Sequence, residues 1–396
     1  MQVPSKLAAA HRPILRCCAS EPYRPTRLGW FVATEATRSP SSSFDLKPRG
    51  AAVIEYAIWC DWDIGHLYDL EHVWVHVDAA GTVLAVEGSQ HGRRVDLTGC
   101  AIEAGRPVVY LEPGKHAIWP SPEAMAPEFT RIAAQCGAFA GIDGVHVDNP
   151  FGDRGEIVAT PYDHRLARLK LKRDAFRPAF DFSAEPTSEM LVEWAELAAW
   201  IPGRVKALVA DMRRTVPHIE AVFLDCGDTL ADEGTEVKDE VTEIVSSAEL
   251  IPGAENVTRR LKARGYRLAL VADGPRETFV NILGQHGLWD DFEAHVISGD
   301  LGVAKPHRRM FETALAALGI GEAAAGRVVM VGNNLERDIK GANEAGLISV
   351  FMRWSTRRTH MPKDASEKPR FTIDYIEDLP ELLERIELSL PVERLS

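Results

Sequence analysis

The sequence predicts two domains of different class. Residues 1–215 read as a mainly β, sandwich-like module with a helical segment at its C-terminal end, and residues 219–390 as a three-layer α/β domain on a parallel sheet with little or no cap. Three observations lead there. A chain of 396 residues exceeds one typical domain and suits two, each with its own core. Between Ala51 and Ile118, short β-branched and aromatic runs are separated by turn material. Beyond His218, strand-like and helix-like runs alternate, which is the pattern of β-α-β units.

In the first half AAVIEYAIW, HVWVHV, TVLAVEG and PVVYL are the strand runs. Asp78-Ala79-Ala80-Gly81, between the second and third, is a hairpin signal because Gly81 can take a left-handed backbone. From Leu191 to Thr215 the period changes: LVEWAELAAW and RVKALVADMRR carry apolar residues at helical spacing on either side of Ile201-Pro202-Gly203, predicting helices that close the domain. The linker is expected near Thr215-Val216-Pro217-His218. After it come IEAVFLD, GAENVTRRLKARG, RLALVAD, PRETFVNILGQHG, AHVIS, HRRMFETALAALG, RVVMVG, LERDIKGANEAG and ISVFM in alternation. Ligands of such sheets bind beyond the carboxyl ends of the strands. Asp225, Asp273 and Asn333 each follow a strand run.

Composition narrows the partners. Lys plus Arg number 45 against 58 Asp plus Glu, a formal charge of -13, and no basic run could neutralise a row of phosphates, so nucleic acid is not expected. The cysteines, Cys17, Cys18, Cys60, Cys100, Cys136 and Cys226, show neither C-x-x-C pairs nor a dense disulfide spacing, which fits a reducing cytoplasm. No signal peptide and no membrane span are expected, since no apolar stretch approaches 18 residues. Oligomeric state is left open.

The stretch Asp225-Cys226-Gly227-Asp228-Thr229 delivers a carboxylate to a small-residue turn after an apolar run. A carboxylate attacks phosphorus only when its repulsion from an anionic phosphate is cancelled, by a divalent cation and a fixed positive charge. Together with Ala272 and Asp273 at the end of RLALVAD, Lys305 in Gly302-Val303-Ala304-Lys305-Pro306, and Gly332-Asn333-Asn334-Leu335-Glu336-Arg337-Asp338, this stretch resembles the ordered motifs of the haloacid dehalogenase-like (HAD) hydrolases, with their Rossmann-like fold, over roughly Ile219 to Leu383. The resemblance implies Asp225 as nucleophile, Lys305 as the neutralising cation, and Mg²⁺ held by Asp225, the Gly227 carbonyl, Asn333 and Asp338. It implies phosphate binding around Thr229, Ala272, Asp273 and Lys305.

Three positions depart from the family pattern. Gly227 replaces the general acid, Ala272 the phosphate-binding hydroxyl, and Asn333 a metal-site carboxylate. Asp228, one residue on, is the carboxylate left to act as acid. Without an acid, an ester with a poor leaving group suffers more than an acyl phosphate. About 20 residues separate Leu230 from Leu250 and about 30 separate Asp273 from Lys305, too few for a full cap domain. The implied function is a Mg²⁺-dependent phosphatase acting through an aspartyl-phosphate on an exposed group of a phosphorylated small molecule or macromolecule. Its alternatives are a degenerate scaffold with a binding or regulatory role, and an N-terminal module that binds carbohydrate or lipid head groups.

Gly65-His66-Leu67-Tyr68-Asp69-Leu70-Glu71-His72-Val73 resembles the heptapeptide of the necrosis-inducing (NLP) proteins and the related element of Vps62-like proteins, both β-sandwich modules, with further echoes at Ser89-Gln90-His91-Gly92 and Gly114-Lys115-His116-Ala117. The resemblance implies a second cation site, for Mg²⁺, Ca²⁺ or Mn²⁺, at His66, Asp69 and Glu71, with Asp61 or Asp63 as a further ligand. His91 and His116 stand either as acid-base groups or as buried histidines bonded to backbone. Tyr56, Trp59, Trp62 and Trp74 are expected in the core.

Overall fold

Strand β2 (Ala52–Trp62) is buried along almost its whole length, because both faces of its sheet are covered. The computed structural model describes residues 3–90, 92–186 and 190–392, and the chain divides into two units, Met1–Val216 and Pro217–Ser396. In the first unit β1 (Arg27–Ala33), β2, β3 (His66–Val77), β4 (Val83–Gln90) and β5 (Arg93–Asp96) pair antiparallel in that order. Two strands join in parallel, β6 (Gly144–Val145) on β3 and β7 (Met190–Glu193) on β1. Asp78 N–H bonds the Thr82 carbonyl across the β3–β4 turn, and Gly81 takes φ +86° there.

Period-two alternation sorts β2 between two cores. Ile54, Tyr56 and Ile58 pack with Leu15, Val109, Leu111 and Ile118, which belong to or adjoin the smaller sheet of Ile14–Arg16, Arg106–Leu111 and Ile118–Trp119. Ala57 and Trp59 face the other way, onto helices α1 (Pro161–Arg173) and α2 (Trp194–Thr215). The large sheet is thus covered by strands on one face and by helices on the other. Tyr56, Trp59 and Trp74 are fully buried and Trp62 nearly so.

The sequence expectation of separate helices around Pro202 is corrected: α2 runs unbroken for 22 residues with Pro202 inside it. An interior proline costs about 3 kcal/mol. Leu197, Ile201, Val205, Leu208 and Met212 form one buried stripe along α2, and burial stabilises by about 1.5–3 kcal/mol per such side chain, so packing outweighs the break. Asp163 in the capping box of α1 also accepts from Arg213 Nε and Nη2 of α2, at 2.7 and 2.9 Å.

The second unit carries a six-stranded, all-parallel sheet. Its strands are β8 (Ala221–Leu224), β9 (Leu268–Ala272), β10 (Ala294–Ile297), β11 (Val328–Gly332), β12 (Ile348–Met352) and β13 (Phe371–Ile373), in the order β10-β9-β8-β11-β12-β13. Val222 and Leu224 face a core with α3 (Ala254–Ala263), α4 (Arg276–Gln285) and α6 (Leu379–Ser389), while Ala221 and Phe223 face α5 (Arg308–Ala317). Since β8 is followed to one side by β9 and to the other by β11, the strand order reverses at β8, and a crevice opens at the carboxyl ends there. Between β8 and α3 the chain forms a small hairpin, Val237–Lys238 against Val245–Ser247. Among the described residues no helix is long and apolar enough to cross a membrane.

Candidate active site

Asp225 follows β8 directly, and its N–H bonds the Val331 carbonyl of β11 at 3.0 Å, which fixes the loop to the sheet. Its Oδ1 lies 2.7 Å from Lys305 Nζ. Lys305 is buried and spans the crevice, since the same Nζ reaches Asp338 Oδ1 at 2.7 Å and the Val271 carbonyl at 2.7 Å. Its own N–H donates to Asp273 Oδ1 at 3.0 Å. Burial alone would depress the ammonium, but Asp225, Asp338 and Asp273 together raise it above its ordinary value. Lys305 therefore stays charged throughout the physiological range.

Asp338 sits in a π-helical turn, Leu335–Ile339, that Asn334 caps through the Glu336 and Arg337 N–H groups. Its Oδ2 accepts from Asn334 N–H at 2.9 Å. Gly332 leaves room for this carboxyl, since a Cβ there would lie 2.3 Å from Asp338 Cγ. Burial raises the Asp338 carboxyl above the usual range, Lys305 opposes this and the charge of Asp225 adds to it. Two carboxyl groups thus share one ammonium at the cavity. That donor set fits a hard divalent cation, which Asp225, Asp338 and the Gly227 carbonyl would hold. Asn333 is buried and its Nδ2 has no hydrogen-bond partner among the described residues, so its amide is free to present oxygen or nitrogen to the same place.

Asp225, Lys305, Asp338, Asn333, Gly227 and Asp273 all line one cavity of about 260 Å³. Three expected residues do not. Asp228 is fully buried at φ +49°, and its Oδ1 takes Arg357 Nη1 at 2.7 Å and Glu233 N–H at 3.1 Å. It is corrected from acid to loop anchor. Thr229 is fully buried, and its Oγ1 has no partner among the described residues and no place in the cavity wall. Ala272 ends β9 inside the apolar core, so the wall there is made by Asp273 and Gly274. Asp273 is committed to Lys305 N–H and lies 3.6 Å from Arg337, so it braces the loops.

Glu233 and Arg358 are among the cavity residues that were not anticipated. Glu233 reaches over Gly227 from a short turn, and Arg358 holds its carboxylate at 2.7 and 2.9 Å. Burial raises the Glu233 carboxyl above its ordinary value, with Arg358 opposing. The one sequence signal for Glu233 is its place in an acidic pair just past the nucleophile loop. For Arg358 it is the Arg357-Arg358 doublet, and no spacing rule ties that doublet to a loop 125 residues away.

Residues 171–346 match the haloacid dehalogenase-like hydrolases. The match to this hydrolase family begins in α1 of the first unit and ends just before β12. The chain is 40% identical over 106 residues to glyceraldehyde 3-phosphate phosphatase of Pyrococcus abyssi, covering 26% of this chain and 42% of that protein. It is 29% identical over 208 residues to phosphoserine phosphatase of Thermus thermophilus, covering 52% of this chain and 80% of the relative. A HAD phosphatase structure from Thermococcus onnurineus aligns at 25% identity with a TM-score of 0.30, over 34% of this chain and 59% of that one. The chain spans about half the length of several glyceraldehyde 3-phosphate phosphatases it matches.

The expected N-terminal cation site is not supported. Among the described residues no group of three or more His, Cys, Asp or Glu could hold a metal ion. Asp63 accepts from the Gly65 and His66 N–H groups at 2.6 Å each and pairs with Lys115 at 3.0 Å and His66 Nε2 at 3.3 Å. Asp69 pairs with His116 at 3.3 Å, Glu71 accepts from the Ser89 hydroxyl, and Asp61 is held by Arg204. A cation at Asp63 or Asp69 would have to displace Lys115 or an imidazole. His116 is buried between Asp69 and the Tyr23 carbonyl, 2.8 Å from its Nε2. Burial opposes its protonation, but Cys60 and Asp69 raise it well above the ordinary imidazole value, as befits a buried ion pair. His91 lies outside the described residues.

Proposed function

We propose that the second unit is a Mg²⁺-dependent phosphatase that works through Asp225 by way of an aspartyl-phosphate. The observation that carries this reading is Lys305 Nζ placed 2.7 Å from both Asp225 Oδ1 and Asp338 Oδ1 in the wall of one cavity at the carboxyl ends of the strands. The phosphatase names of the relatives support the reaction class. In the first step Asp225 forms a bond to phosphorus as the bond from phosphorus to the leaving oxygen breaks, that oxygen taking a proton from solvent; in the second, water attacks phosphorus, gives up a proton to solvent, and the electron pair of the phosphorus–aspartate bond returns to Asp225. Lys305 pairs with the nucleophile and offers a fixed charge to the phosphoryl oxygens. Bound Mg²⁺ would supply the second positive charge against the phosphoryl oxygens.

With neither Thr229 nor Ala272 at the wall, phosphoryl oxygens are left to Lys305, backbone N–H groups of the nucleophile loop and the cation. A short hairpin in place of a cap favours an exposed phosphoryl group on a small molecule or a macromolecule. The test is turnover of p-nitrophenyl phosphate and acetyl phosphate with Mg²⁺ by the wild type and by Asp225→Asn. Wild-type turnover that disappears in the folded variant supports the reading, and equal turnover in both overturns it.

A further inference from the structure

We propose that Arg337 binds the phosphoryl group of the substrate, supplying the side-chain donors that Ala272 lacks at the end of β9. This rests on the phosphatase reading above and names a residue that completes the phosphoryl site. The strand order is β9-β8-β11, so β8, with Asp225 directly after it, lies between the other two. Asp273 directly follows β9, and Arg337 belongs to the loop beyond β11. The guanidinium of Arg337 reaches toward Asp273, Nη1 to Oδ2 at 3.6 Å, and both residues line the cavity. Arg337 therefore crosses the carboxyl end of β8, over the loop that carries the nucleophile.

The two cations nearest this crossing stand at different depths. The Lys305 side chain is 2% exposed and the Arg337 side chain 50%, so one cation lies on the floor beside Asp225 and the other at the mouth. Lys305 is fully engaged by Asp225, Asp338 and the Val271 carbonyl. Of the other cations lining the cavity, Lys238 pairs with Glu236 at 2.8 Å and Arg358 with both oxygens of Glu233. Arg337 differs from these. Its contact with Asp273 is beyond hydrogen-bond reach, and Asp273 Oδ2 is a buried atom with no hydrogen-bond partner among the described residues. A guanidinium paired this loosely gives up little when an anion arrives.

The anchoring of Arg337 is in its backbone. Its N–H donates to Asn334 Oδ1 at 3.2 Å, within the π-helical turn whose Asp338 meets Lys305, and Leu335 and Ile339 of that turn are buried with Phe351. Asp273 is fixed through Oδ1 by the Lys305 N–H. The Arg337 side chain is the part left to turn, from Asp273 to a phosphoryl oxygen. A phosphoryl group attacked by Asp225 presents three non-bridging oxygens. Lys305 meets them as a point charge, whereas the planar guanidinium fork matches two of them in a bidentate contact. No proton moves, and the contact persists into the transition state, where negative charge is spread over those oxygens.

The experiment is calorimetric titration of inorganic phosphate, with Mg²⁺ present, into wild type, Arg337→Ala, Arg337→Lys and Asp273→Asn, together with kcat and KM on p-nitrophenyl phosphate. Arg337→Ala is expected to weaken phosphate binding about 10- to 100-fold and to raise KM by a similar factor, with kcat changed less. Arg337→Lys keeps the charge without the fork and should stay at least about threefold weaker than wild type. Asp273→Asn keeps an acceptor for the Lys305 N–H and removes the charge facing Arg337, so phosphate should bind at least as tightly as in wild type. A purely bracing role for the Arg337–Asp273 pair predicts instead that Asp273→Asn and Arg337→Ala weaken binding alike. That result, wild-type affinity in Arg337→Ala, or full recovery in Arg337→Lys overturns the proposal. Should Arg337→Ala fail to fold, Arg337→Lys and Asp273→Asn decide. Phosphate binding without turnover in wild type would defeat the phosphatase reading while the binding comparisons still decide the place of Arg337, and absence of both would defeat the two together.

Discussion

Asp228 takes the left-handed backbone of the turn after Asp225, φ +49°, and that conformation decides where its carboxylate goes. Asp and Asn tolerate this region better than most residues because their short side chains bond locally. Turned inward, the carboxylate meets Arg357 and the Glu233 N–H, out of reach of the cavity. Asp228→Asn keeps the backbone preference and one acceptor but loses the charge facing Arg357. It is expected to destabilise by about 1.5–3 kcal/mol, the range for hydrogen bonds to charged groups, and to slow alkyl and aryl phosphates by the same small factor, less than about threefold. Chemical denaturation and steady-state kinetics on the two substrates check this. A selective loss on the alkyl ester would put Asp228 back in contention as the acid.

Helix α2 shows packing overriding a local signal. Pro202 removes one intrahelical hydrogen bond near the ninth residue, yet the buried stripe from Leu197 to Met212 continues past it in register. Pro202→Ala restores the bond and leaves the stripe alone. It is expected to stabilise the first unit by about 1–3 kcal/mol, read as a higher melting temperature. A lower one would mean that the helix bends at Pro202 to suit the sheet and that the bend matters more than the bond. The parallel sheet behaves in the opposite way. Its strands are continuous apolar runs with both faces covered, so local pattern and final burial agree, and β8, β9, β11 and β12 are legible in the sequence almost to the residue.

At the scale of the molecule, the two units keep separate cores. The apolar clusters around the parallel sheet are drawn from residues beyond 217, and those around the mixed sheet from residues up to 216. A fragment of residues 217–396 is expected to melt cooperatively by circular dichroism, within roughly 5 °C of a transition seen in the whole chain. A fragment without a cooperative transition would show that its core needs the first unit.

Sequence by itself determined what depends on local order: the α/β alternation, the apolar strands, and the placing of Asp225, Lys305 and Asp338 after strands or in the loops beyond them. Parallel topology then brings such loops together at the reversal of strand order, which is why these residues meet. Tertiary structure alone decided what depends on side-chain direction and long-range pairing. Thr229 and Ala272 stand at motif positions, yet one hydroxyl is turned inward and one methyl is packed in the core. The N-terminal carboxylates cluster in sequence, but Lys115, His116 and Arg204 approach from other elements and occupy them. Glu233 was hidden for the same reason: its reach over Gly227 depends on the turn it opens and on Arg358, which arrives from a loop 125 residues along the chain.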